Sequence, residues 1–331
     1  MTYLTPQNTM RELEHIPELG DMARFVMYTK ETQNQTAEGF ADMPIAGVKN
    51  IGWSPEGMCA GINLLIDQVV NKGAKAHYVY TEAECAEDVQ MKNVNVIRLV
   101  PESIDPEKPF IILVSGGAYN VVCNATEALP TAVHMLARGY QVFVLTYRVG
   151  ELGIFPKPID DMAAALRYIR THAEEFQLNP DVYAVAGFSA GANLISTWGT
   201  TNAGYASYGL PKPKAMFPIY TGVDLKTLDD TTPNCELLNI MFGVNYTKDM
   251  VEKYNIEQHI DADYPPCYIV CGKDDSIVSP KNSEIMKQRL DEAGVPAVLC
   301  EGEHAQHGFG DGTGTDVEGW PERALDFMEA L

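Results

Sequence analysis

The stretch VYAVAGFSAGA, residues 182–192, decides how this chain is read. Val182 to Phe188 are small or apolar, and a short apolar run of that kind reads as a strand covered on both faces. It ends in Gly187-Phe188-Ser189-Ala190-Gly191, a serine with a glycine two residues before and two after. An ordinary turn after a buried strand would produce this, and so would a serine held on a sharp strand-to-helix bend. Gly-x-Ser-x-Gly alone is a weak signal. A strand before it and a helix-like run after it are the context of a nucleophile elbow. The glycines allow the strained turn and the close approach of neighbouring backbone. The context favours Ser189 as a nucleophile.

A serine hydroxyl attacks only when a base takes its proton, and the base needs an acid to fix its tautomer. Both should follow later strands. His15, His77, His134, His172 and His259 precede the final strand candidate, AVLCE (297–301); His304 and His307 follow it, in GEHAQHGFGDG. His307, leading into Gly-Phe-Gly, is favoured over its rival His304. The loop after CYIVCG (267–272) reads GKDDSIVSP. Asp275 is favoured there over Asp274, and Asp224 in YTGVDL is a distant third. The order Ser, Asp, His is the one expected of a nucleophile elbow on an α/β sheet. A developing oxyanion needs two backbone donors. One is expected from Ala190, the residue after the nucleophile. The other is expected from Gly116-Gly117-Ala118 in FIILVSGGAYN, although Gly-Gly is also a common turn dipeptide.

From about residue 110 the pattern alternates. FIILVS (110–115), QVFVLTY (141–147), VYAVAGF (182–188), AMFPIY (215–220), CYIVCG and AVLCE read as strands. Residues 158–173, 190–199, 281–294 and 321–331 read as helices. Strands alternating with helices predict a mostly parallel sheet flanked by helices. Earlier, AHYVYTEA (76–83) and VNVIRLV (94–100) read as strands that begin the sheet in antiparallel fashion, and 57–72 as a helix. Residues 1–50 show no clear pattern and are expected to wrap the outside or shape the site. Residues 222–264 are long for a simple crossover and are expected to form a small helical cap. No linker divides the chain, so 1–331 is read as one domain, with 1–100 as an N-terminal extension and first strands.

The chain has 331 residues, 46% hydrophobic and 21% charged, with a formal net charge of -21. So acidic a surface repels phosphate backbones and anionic lipid, which argues against nucleic acid and membrane partners. The cysteines are Cys59, Cys85, Cys123, Cys235, Cys267, Cys271 and Cys300, an odd number, mostly in apolar runs. Along a strand, Cys267 and Cys271 would stand about 13 Å apart at roughly 3.3 Å per residue, too far for a disulfide or a shared metal. They read as small buried hydrophobes in a reducing compartment. The N-terminus lacks a basic and then apolar leader, and no run reaches membrane-span length. A cytoplasmic protein is expected.

Together these residues resemble the α/β-hydrolase fold, and within it the bacterial esterase and lipase group that contains acetyl esterases and acetylxylan-esterase-like carbohydrate esterases. The resemblance covers about 110–331. It rests on SGGAY (115–119), TYR followed by FPKPIDDMAAALRYI (146–169), GFSAG (187–191), GKDDSIV (272–278), HGFG (307–310) and Trp320 before the last helix. Many relatives have His-Gly-Gly-Gly where this chain has Ser115-Gly116-Gly117-Ala118. The resemblance implies Ser189 as nucleophile, His307 as base, Asp275 as its orienting acid and Gly117, Ala118 and Ala190 as oxyanion donors. Tyr119 is expected to contact substrate. The implied activity is hydrolysis of short-chain carboxylic esters, acetyl esters of sugars or small alcohols, with no metal or organic cofactor. A small-molecule ester is the expected partner, and a homodimer is left open. Four alternatives stand behind it. Feruloyl esterase and a peptidase of the prolyl-oligopeptidase kind share the fold. A ligand-binding protein without catalysis would be expected to lack a triad residue. A metal-dependent hydrolase would need a third ligand beside His304 and His307.

Overall fold

The computed structural model describes residues 3–13, 15–30, 42–48, 52–226 and 236–331. Its strands, in chain order, are β1 (Tyr28–Thr29), β2 (Ala76–Tyr78), β3 (Asn95–Leu99), β4 (Phe110–Val114), β5 (Val121–Val122), β6 (Val142–Thr146), β7 (Tyr183–Phe188), β8 (Ala215–Ile219), β9 (Cys267–Gly272) and β10 (Ala297–Gly302). β4, β6, β7, β8 and β9 are buried at every position. Their unbroken apolar sequences are the pattern that suits strands covered on both faces. β10, at one edge, is mixed in sequence and only partly buried.

Eight strands form one sheet in the order β10-β9-β8-β7-β4-β6-β3-β2. β6, β4, β7, β8, β9 and β10 run parallel, while β3 pairs antiparallel with β6 and β2 antiparallel with β3. This is the α/β-hydrolase arrangement, with the antiparallel start expected. From β4 the chain goes on to β6 on one side. From β7 it goes on to β8 on the other. The carboxyl ends of β4 and β7 are therefore the switch point of the sheet, where α/β proteins open a crevice for ligands. Both SGGAY and GFSAG lie there.

The helix Pro55–Lys72 starts with Ser54 accepting the Gly57 N–H and proline in its first turn, and ends at Gly73 with φ 68°. These are strong start and stop signals. It crosses the helix Ala128–Ala137 so closely that a Cβ on Gly61 would meet backbone atoms of Leu129 and Pro130 at 2.5 Å. Trp320–Glu329 packs beside Ala128–Ala137, and Lys157–Thr171 beside Ala190–Trp198.

Three expectations are adjusted. AHYVYTEA is a strand only over its first three residues, Ala76–Tyr78. Beyond them Tyr80 turns away and donates its hydroxyl to buried Asp161 at 2.7 Å. The 222–264 connection contains the helices Glu236–Phe242 and Lys248–Tyr254, joined by a non-helical segment. It is less polar than its sequence reads, because Leu238, Met241, Phe242, Val251 and Tyr254 are buried. Residues 227–235, including Cys235, lie outside the described residues. The N-terminal segment does more than wrap the outside. Leu4, Met10, Leu13, Phe25 and Tyr28 enter the main core, and β1 pairs antiparallel with β5, just beyond SGGAY.

Candidate active site

Ser189 stands at the carboxyl end of β7 with φ 51° and ψ −118°, and the helix Ala190–Trp198 begins at the next residue. A non-glycine residue there is strained. The flanking glycines make the bend sterically feasible. A Cβ on Gly187 would come within 2.4 Å of the Gly191 carbonyl oxygen, and one on Gly191 within 2.1 Å of the Val114 carbonyl oxygen. The bend leaves Ser189 half-buried, within reach of solvent.

His307 Nε2 lies 2.9 Å from Ser189 Oγ, and His307 Nδ1 lies 2.7 Å from Asp275 Oδ2. Asp275 Oδ1 accepts the backbone N–H groups of Ile277 and Val278 at 2.8 and 2.9 Å. With that carboxylate accepting, Nδ1 carries the imidazole proton and Nε2 is left to accept from the serine hydroxyl. Asp275 and His307 are 8% and 7% exposed, so the pair is shielded from water and from salt. Asp274 is exposed and accepts the Gln306 N–H at 2.7 Å. His304 is exposed, its N–H donated to Asp316. Asp224 lies on the loop after β8, its N–H donated to Asn282.

The SGGAY loop abuts the elbow. A Cβ on Gly116 would sit 2.5 Å from the Phe188 carbonyl oxygen and 2.7 Å from Ser189 Cβ. Gly117, Ala118 and Tyr119 have φ of 124°, 52° and 59°, so beyond a glycine that tolerates it two side-chain-bearing residues are held in the unfavourable half of backbone space. The Gly116 N–H is committed to Glu127 Oε2 at 2.5 Å. Gly117 is half-buried and Ala118 exposed beside the serine, while Ala190 follows it on the helix.

Tyr119 is corrected. It is 1% exposed, and its hydroxyl donates to Asn193 Oδ1 at 2.7 Å. The ring packs edge-on against Tyr147 and Phe155. It supports the loop from beneath and offers no face to a ligand.

Several contributors were not evident in the sequence. Tyr220, after β8, has φ 42° and lays its ring 4.5 Å from that of His307. Its hydroxyl donates to Glu127 Oε1 at 3.0 Å. Burial pushes the Glu127 carboxyl up to about 7, against the opposing pull of the Gly116 N–H, the Tyr220 hydroxyl and the His307 charge. The one available signal was a single charge in the otherwise uncharged NATEALPTAV. Gly52 donates its N–H to the His307 carbonyl at 2.7 Å, so the N-terminal segment also steadies the loop that carries the base. His134 bridges Asp311, four residues beyond His307, and Glu322 on the last helix.

Among the described residues no group of three or more His, Cys, Asp or Glu side chains could hold a metal ion, and no helix is long and apolar enough to cross a membrane. Cys59, Cys85, Cys123, Cys267 and Cys271 are buried free thiols, and Cys300 is a partly buried one.

The chain is 23% identical over 228 residues to endo-1,4-beta-xylanase B of Butyrivibrio fibrisolvens, covering 65% of this chain and 35% of that protein. It is 26% identical over 215 residues to an acetylxylan esterase of Xylanibacter ruminicola, covering 63% of this chain and 43% of that protein. The chain thus spans less than half the length of these curated relatives. Among solved structures, an acetyl ester-xyloside bifunctional hydrolase from Caldicellulosiruptor lactoaceticus matches with a TM-score of 0.65 at 22% identity, over 77% of this chain and 96% of that one. That likeness shows a shared fold. The family model BD-FAE matches residues 98–290, more than half of the 331, from β3 through β9 and the helix after it, and the chain belongs to the BD-FAE family.

Proposed function

We propose that the protein is a serine esterase that cleaves short-chain carboxylic esters, most readily acetyl esters of sugars, through an acyl-enzyme on Ser189. The observation that carries this reading is the continuous hydrogen-bond chain from Ser189 Oγ through His307 to Asp275, at 2.9 and 2.7 Å.

Ser189 Oγ attacks the ester carbonyl carbon as His307 Nε2 takes its proton. Asp275 stabilises the imidazolium that results. The carbonyl oxygen, now negative, is held by backbone N–H groups of Ala190 and of Gly117 or Ala118. Aimed where charge develops, these contribute about 3 kcal/mol per donor. As the tetrahedral adduct collapses, the imidazolium gives its proton to the departing alcohol, leaving acyl-Ser189. Water, deprotonated by His307, then attacks the acyl carbon and releases the carboxylic acid and free serine.

The sugar side rests on the relatives, among which one is named an acetylxylan esterase and one structural neighbour an acetyl ester-xyloside hydrolase. The helical connection between β8 and β9 is read as a small cap over the acyl side. The free thiols suit a reducing compartment, and we place the protein in the cytoplasm. The test is release of acetate from acetylated xylo-oligosaccharides, with p-nitrophenyl acetate, butyrate and octanoate as a chain-length series. Turnover that falls from acetate to octanoate and vanishes in Ser189→Ala is expected. Equal turnover in both proteins would refute the mechanism.

A further inference from the structure

Glu127 is a fully buried carboxylate within the active-site scaffold that the acyl-transfer steps do not use. It lies immediately before the helix Ala128–Ala137. One oxygen takes the Gly116 N–H at 2.5 Å and the other the Tyr220 hydroxyl at 3.0 Å. Each contact reaches a different part of the machinery. Gly116 abuts Ser189 and opens the loop that leads to Gly117 and Ala118. Tyr220 carries the ring that lies against His307. A buried acid is costly unless it is hydrogen-bonded, and both groups that face Glu127 donate to it, so a carboxylate with two acceptor oxygens satisfies both where an amide, with one, does not. Tyr220 is held protonated by its burial, so its hydroxyl donates and needs an acceptor there. The titratable groups around Glu127 are the Cys123 thiol, the Tyr147 and Tyr220 phenols and the His307 imidazole. Burial keeps the thiol and both phenols neutral near neutral pH. His307 is therefore the cation that a Glu127 carboxylate meets.

We propose that Glu127 is a positioning residue of the acyl-transfer site, whose carboxylate fixes the oxyanion loop through Gly116, holds Tyr220 against His307 and places a negative charge behind the base. Asp275 holds one ring nitrogen directly. Glu127 acts through Tyr220 and through space, favouring the imidazolium that forms as Ser189 is acylated. The inference rests on the serine esterase reading for its kinetic arm and not for its spectroscopic one.

The test is Glu127→Gln, which keeps size and loses the charge and one acceptor, with Tyr220→Phe as a second variant that keeps the ring and loses the link. Burial raises the Glu127 carboxyl to about 7, so it carries charge near that pH and above, and there removing the charge makes the imidazolium less favourable. The acid limb of the kcat profile on p-nitrophenyl acetate should therefore move to lower pH in Glu127→Gln. kcat should fall about tenfold, with KM within about twofold. Tyr220→Phe should lower kcat less and move the limb in the same direction. The NMR titration of the His307 imidazole should move the same way in Glu127→Gln whether or not an ester is turned over. A failure of the esterase reading is thereby told apart from a failure here. If Glu127→Gln does not fold, Tyr220→Phe decides by the same two readouts. An unmoved limb and an unmoved imidazole titration would overturn the proposal, even if kcat fell.

Discussion

Asp274 and Asp275 are neighbours in sequence and hold the segment around His307 at two different points. Asp275 accepts a hydrogen bond from the His307 ring N–H, and Asp274 accepts one from the backbone N–H of Gln306. Gln306 has φ 58°, so Asp274 pins a strained residue just before the base. Asp275→Asn should leave the fold intact and lower kcat by about four orders of magnitude, because an amide favours the wrong imidazole tautomer. Asp274→Asn keeps an acceptor for Gln306 and should cost about threefold or less. Steady-state kinetics of the two variants, side by side, check the assignment.

Tyr119 makes a different kind of claim. Its hydroxyl is paired with Asn193 inside the protein. Tyr119→Phe leaves the Asn193 oxygen without that donor and should lower stability by about 1–2 kcal/mol. KM for p-nitrophenyl acetate should stay within about twofold, since the side chain is buried at 1% exposure. Urea unfolding and KM are the readouts.

Gly191 tests the elbow. With the Val114 carbonyl oxygen 2.1 Å from where a Cβ would sit, Gly191→Ala must push the helix away from β4 or distort the bend. A loss of about 3 kcal/mol or more in denaturant unfolding is expected, together with loss of activity.

His134 is predicted to make stability depend on pH. Its hydrogen bond to Asp311, followed by that to Glu322, raises its titration from an ordinary 6.5 to about 9. The folded state therefore holds the proton more tightly than the unfolded chain. That stabilisation is complete below 6.5 and is lost as pH rises from there to about 9. His134→Gln should remove this component, so that the stability difference between wild type and variant shrinks across that window. Thermal unfolding of both proteins at several pH values measures it.

Much of the site was legible because its parts carry local signatures. The strand before Ser189 has no polar residue to expose, and the glycines two residues either side of Ser189 fall where a Cβ would collide. The last two histidines of the chain follow the final strand, so few bases had to be considered. Asp275 and Asp274 were harder to separate, since adjacent carboxylates differ only in where the turn aims them. The buried acid Glu127 looks in sequence like any residue preceding a helix. Its importance comes from Gly116 and Tyr220, 11 and 93 residues away. Residues 1–50 were opaque for a related reason. Their described part contributes single side chains to a distant core through short helical turns and a two-residue strand, which leaves no periodicity to read.

Acylation of Ser189 is the step on which the mechanism turns. The most direct measurement is to quench the enzyme with acid during turnover of p-nitrophenyl acetate, digest it and locate the acetyl group by mass spectrometry. One acetyl on the peptide that carries Ser189, accumulating before steady state and absent from Ser189→Ala, is the predicted result. Acetyl on another residue, or full turnover by Ser189→Ala, would contradict it.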